Sequence, residues 1–130
     1  MKTSIILIFC PVFKKNFKSV FKSYPRSAST FIENLRPDDM LPRSKKYPKI
    51  FGSCDIRKIR YGLNEYNIGQ SDGIRLIFIV HEIRGYICPI FMYLKKQLNH
   101  EIKVLKETKK ALKAVKAELN RNVCHDTITP

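Results

Sequence analysis

Apolar positions along the chain change period several times, and each change marks an element. The run Ile5-Ile6-Leu7-Ile8-Phe9 is short and continuous, as a buried strand is. From Pro11 onward Phe13, Phe17, Val20, Phe21 and Tyr24 return at helical spacing, with Lys14, Lys15, Lys18 and Lys22 largely opposite. That pattern predicts an amphipathic helix opened by Pro11 and ended before Pro25. A second helix over Ser29 to Leu35 turns Phe31, Ile32 and Leu35 inward, and Arg36-Pro37-Asp38-Asp39 ends it. Met40 to Gly52 has no periodicity and reads as a loop.

Between Cys54 and Lys96 the period shortens. Three apolar runs rich in β-branched and aromatic residues are separated by the polar loop Leu63 to Asp72 and by a turn at Gly85, the signal of an antiparallel meander. Pro89 lies inside the third run and cannot donate to a ladder, so a bulge or an outward-facing nitrogen is expected there. After Lys96 a helix is expected, with Asn99 as N-cap, Glu101 in the first turn, and Leu105, Thr108, Leu112, Val115 and Leu119 on one face. Its first half should pack on the sheet and its Lys-rich second half should project. The polar tail 120–130 should fray.

The placement of cations changes this picture from ordinary sheet to candidate site. Alternation along the first run of the meander puts Lys58 and Arg60 on one face and Ile59 and Tyr61 on the other. Arg75 opens the second run, and Lys95 and Lys96 close the third. An antiparallel hairpin brings the start of one strand beside the end of the next, so these residues should meet in a cationic pocket. Arg57 lies in the same run, and Lys45, Lys46, Tyr47 and Lys49 form a basic loop with an aromatic that can hold a nucleic-acid backbone and stack a base.

Composition supports a polyanionic partner. The 130 residues carry a formal charge of +14, which points to nucleic acid, an acidic protein or an anionic surface. That length suits a single domain over residues 1–130, ordered from about residue 3 to residue 119. No apolar run is long enough for a membrane span, and Lys14 and Lys15 follow the first run where a signal peptide would place its cleavage site. Cys10, Cys54, Cys88 and Cys124 are scattered without a Cys-x-x-Cys pair, so reduced thiols in a cytoplasm are expected rather than a disulfide framework or a zinc site. Cys124-His125-Asp126 are adjacent and rarely converge as a catalytic trio.

The order Arg57-Lys58-Ile59-Arg60, a Gly/Ser-containing loop, Gly73-Ile74-Arg75-Leu76-Ile77-Phe78, then Tyr93-Leu94-Lys95-Lys96 before a Glu/Ile/Lys helix, resembles the RelE/ParE superfamily of bacterial toxins. It is most similar to the RelE and HigB type, and the resemblance runs from Ile5 to Leu112. It implies an α+β fold in the order β-α-α-β-β-β-α, a small twisted sheet of about four mainly antiparallel strands with two N-terminal helices on one face. It implies a type II toxin that cleaves messenger RNA on the ribosome without metal or cofactor, neutralised by an acidic cognate antitoxin, cytoplasmic and away from membranes.

On that resemblance the catalytic residues are Lys58, Arg60, Arg75, Lys95 and Lys96, with Tyr93 beside them on the RNA. Studied RelE members also carry a C-terminal tyrosine in the active site. The nearest position here, around Ile102, has none, and Tyr93 or Tyr61 could stand in, although Tyr61 points to the other face. The chemistry is attack of the ribose 2′-OH on the adjacent phosphate. In a cationic cluster a lysine pKa falls by repulsion, and a permanent arginine charge stabilises the transition state. His81, at a strand end, His100, at the last helix, and the absence of paired carboxylates on the basic face leave this role to lysine. Two other readings stay open: a ParE-like gyrase inhibitor on the same fold, which would not need Lys58, Arg60 and Arg75 together, and a non-catalytic RNA- or ribosome-binding module using the same cations.

Overall fold

Apart from Arg75, the segment from Ile74 to Val80 is wholly apolar and every residue in it is buried, which is the pattern of a strand covered on both faces. It becomes the middle of the sheet. The computed structural model describes residues 4–47, 52 and 54–130. In chain order the elements are β1 Ile6–Leu7, α1 Pro11–Phe21, α2 Ala28–Glu33, α3 Pro37–Arg43, β2 Lys45–Lys46, β3 Asp55–Tyr61, β4 Ile74–His81, β5 Tyr86–Leu94 and α4 Glu101–Asn120. Among the described residues the sheet has five strands in the order β1-β5-β4-β3-β2. β1 runs parallel to β5 and the other pairs are antiparallel.

The fold class is therefore α+β, with a mixed sheet of five strands rather than about four. The meander is as expected, and so is the bulge: Ile77 pairs with Phe91 while Phe78 pairs with Pro89, so Ile90 is the extra residue beside the proline. Two elements were not anticipated. Pro37 opens α3 instead of ending α2, because a proline at the first helical position followed by Asp38 and Asp39 satisfies the helix N-terminus and its dipole. The segment expected as a loop also contains β2, whose two residues are both exposed and so show no alternation. α4 starts one residue later than expected, with His100 rather than Asn99 as N-cap.

Each face of the sheet has its own core. On one, Phe13, Phe17 and Phe21 of α1 and Phe31 of α2 pack over Ile59, Tyr61, Leu76, Phe78 and Met92. The rings form a chain, with centroids 4.8 Å apart for Phe17–Phe21, 5.2 Å for Phe21–Phe31 and 5.1 Å for Phe31–Tyr61. Such pairs contribute about 0.5–1.5 kcal/mol each beyond burial. On the other face α4 lays Val104, Thr108, Leu112 and Val115 on Ile77, Ile79, Cys88 and Ile90. Its second half packs rather than projecting, because Leu112 and Val115 continue the buried stripe and Glu118 accepts a 2.9 Å hydrogen bond from the Val12 amide in the first turn of α1. Among the described residues no helix is long and apolar enough to cross a membrane.

The tail also differs from expectation. Asn122 adopts a left-handed φ of 58°, the Asn122 and Val123 amides donate to the Leu119 and Glu118 carbonyls, and the chain turns back. His125 then exchanges backbone hydrogen bonds with Phe9, and Ile128 packs on the phenylalanine core. A disulfide joins Cys10 to Cys124, against the expectation of reduced thiols; the two cysteines are distant in sequence and only the fold brings them together. Removing this link by Cys124→Ser should lower unfolding stability by about 2–5 kcal/mol in guanidinium titrations, since the cross-link closes most of the chain. An unchanged midpoint would show that the tail contributes nothing to the folded state.

Candidate functional site

β3 alternates as its sequence requires. Ile59 and Tyr61 point into the phenylalanine core, and Ile56 lies in the core under α4, which places Lys58 and Arg60 on the α4 side. The ladder then fixes their neighbours: Arg60 is opposite Arg75, which is opposite Tyr93, while Lys58 is opposite Ile77 on one side and Lys45 on the other. Directly paired residues share a face. Lys58, Arg60, Arg75, Lys45 and Tyr93 therefore share a face; the sequence led one to expect this of Lys58, Arg60 and Arg75, while Lys45 joins them from a segment expected as a loop.

At the centre is Lys58. Its ammonium nitrogen lies 5.2 Å from the Tyr47 ring centroid and 5.5 Å from that of Tyr93, a cation held between two π faces. The Tyr47 hydroxyl donates to Glu101 Oε1 at 3.0 Å, tying β2 to the first turn of α4. Burial pushes the Lys58 pKa below the ordinary lysine value; Glu101 opposes the shift, and Arg75 and Arg60 add to it. Burial, with help from Glu101, pushes Tyr93 up to about 12 against the opposing pull of Arg75 and Arg60, and it raises Tyr47 as well. Both phenols thus keep their protons at neutral pH and can act as donors.

Arg75 has a different situation from the one expected for a phosphate ligand. It is only 3% exposed, and its Nη1 and Nη2 donate to the Gln70 and Ser71 carbonyls at 2.7 and 3.0 Å. The side chain organises the β3–β4 loop. Gly73 completes that loop, since a Cβ there would run into the Tyr61 carbonyl oxygen. Arg60, Lys95 and Lys96 are exposed. The Lys95 amide donates to the Gly73 carbonyl, which sets Lys95 two positions beyond the Arg75–Tyr93 pair.

Other candidates separate from the cluster. Arg57 points to the opposite face, where it pairs with Asp55 at 3.1 Å and reaches the Leu41 carbonyl. Lys46, opposite Arg57 in the ladder, shares that face. Arg57 and Lys46, expected as RNA contacts, therefore lie on the face away from Lys58, because one-residue steps along a strand reverse the side chain. Lys49 lies outside the described residues. Tyr61 is in the phenylalanine core with Arg43 over its ring at 5.2 Å, so Tyr93 and Tyr47 are the tyrosines of the cationic face. Sequence reasoning missed Glu101 as part of the site; its position in the first turn of α4 was legible, but its approach to Tyr47 depends on how α4 crosses the sheet. Among the described residues no group of three or more His, Cys, Asp or Glu side chains is arranged to hold a metal ion.

Compared with protein-family models, curated proteins and solved structures, the chain matches none. Arg75→Ala should leave the Gln70 and Ser71 carbonyls without their donors and lower stability by about 1–3 kcal/mol, with faster amide exchange across residues 69–73. Unchanged stability and exchange would show that Arg75 is free to serve a ligand instead.

Proposed function

We propose that this chain is the toxin of a type II toxin–antitoxin pair, an endoribonuclease of the RelE kind that cleaves messenger RNA presented by the ribosome. The observation that supports this reading is the partly desolvated Lys58, held between Tyr47 and Tyr93 beside Arg60 and Arg75 on one sheet face. A lysine with a lowered pKa has a larger neutral fraction and can take the 2′-OH proton. The 2′-oxygen then bonds to phosphorus, and the 5′-oxygen leaves with a proton that Tyr93 can donate. Arg60, Lys95 and Lys96 supply positive charge to the pentavalent phosphate. The products are a 2′,3′-cyclic phosphate and a 5′-hydroxyl.

The engagement of Arg75 by loop carbonyls favours a second reading, a non-catalytic module that binds RNA or the ribosome through the same face. On either reading the exposed cations are what an acidic partner would cover, and association with it would be fast and salt-dependent.

Expression should arrest growth and translation, and Lys58→Gln should relieve the arrest by about 100-fold or more in cleavage rate while the protein stays folded. Cleavage of ribosome-bound message should rise with pH as Lys58 loses its proton, through an apparent pKa below 10.5. The sign follows from the role, because a general base must be neutral. Product ends bearing 3′-hydroxyl, or a rate that falls with pH, would exclude Lys58 as base. Full binding with intact message would favour the second reading, and intact message with broken DNA would favour a gyrase poison.

A further inference from the structure

α4 starts at the candidate site, where Glu101 accepts the Tyr47 hydroxyl, and its 20 residues carry it about 30 Å away. Val104, Thr108, Leu112 and Val115 face the sheet, and the opposite side presents Lys103, Lys106, Lys109, Lys110, Lys113 and Lys116, all exposed. None of the six forms an ion pair among the described residues. Of the helix's own acids, Glu101 turns to Tyr47, Glu118 to the Val12 amide, and Glu107 to the groove against α1, whose rim Lys110 also lines. Like charges three and four residues apart oppose helix formation, so this face weakens the element that carries it. A polyanion laid along it removes the repulsion.

The composition of the face selects the polyanion. Its one large exposed apolar side chain is Ile102, at the very start, so it lacks the apolar face by which an amphipathic helix enters a bilayer. It has none of the aromatic or arginine anchors around which protein interfaces are built. Lysines act as point charges that suit a phosphate backbone and read no base. We propose that the outer face of α4 is a track for the phosphates of single-stranded RNA continuing from the Lys58 site. The proposal rests on the endoribonuclease reading and extends it from one cleaved phosphate to a bound strand.

The test is fluorescence anisotropy of a single-stranded RNA of about 20 nucleotides, titrated at salt concentrations between about 50 and 200 mM. The full chain is compared with the triple variant Lys106→Gln, Lys109→Gln and Lys113→Gln. Glutamine keeps helix propensity and the three positions are exposed, so the thermal midpoint should stay level or rise. Each lost phosphate contact lowers the slope of log affinity against log salt by about 0.7, so the slope should fall by about 2. An unchanged slope overturns the track, as does a matching loss seen with poly-glutamate and not with RNA. The binding measurement uses no cleavage: a chain that binds with the expected slopes but cuts no message overturns the toxin reading and leaves the track standing.

Discussion

The burial of β4 on both faces is the constraint from which the rest follows. A strand so covered has no freedom of register, because a one-residue slip would send its entire set of side chains to the wrong core. Its pairing with β3 and β5 is fixed by that requirement, and the pairing in turn sets Arg60, Arg75 and Tyr93 in a row with Lys58 one step along. The single charge within the buried run, Arg75, is tolerated because two loop carbonyls take its guanidinium. The β3–β4 loop is thus shaped by the same residue that belongs to the cationic row.

The second element of the site comes from outside the meander. β2 brings Tyr47 to one side of Lys58, and α4 brings Glu101 to Tyr47. The lysine is consequently neither a solvated strand end nor a member of a simple ion pair. Its ammonium is held by ring faces, partly removed from water, and pushed toward the neutral form by burial and by two arginines, with one carboxylate restraining the shift. Perturbation of this kind, by burial together with specific charged neighbours, is the setting in which a lysine takes on proton-transfer chemistry.

Much of this was legible in residue order. Period-two alternation separated Lys58 and Arg60 from Ile59 and Tyr61, and hairpin geometry joined Arg75 to the end of β5. What was not legible depended on contacts far apart in sequence. Local pattern could not show that Cys124 returns to Cys10, that Glu118 reaches Val12, or that Glu101 meets Tyr47. α3 and β2 were missed for local reasons: a proline–acid cluster signals a start as well as a stop, and a two-residue exposed strand carries no periodicity. Arg57 and Lys46 were read as RNA contacts from their basic surroundings in the chain, and strand geometry sends both to the face away from Lys58.

The central claim is that the fold holds Lys58 in an environment that lowers its pKa below the ordinary lysine value. A heteronuclear NMR titration of the Lys58 side chain tests this most directly, in the native protein and in Glu101→Gln. The account predicts a midpoint below 10.5, and a still lower one when the Glu101 charge is removed, since that charge opposes the shift. A Lys58 midpoint at or above 10.5, or one that rises in Glu101→Gln, would contradict it.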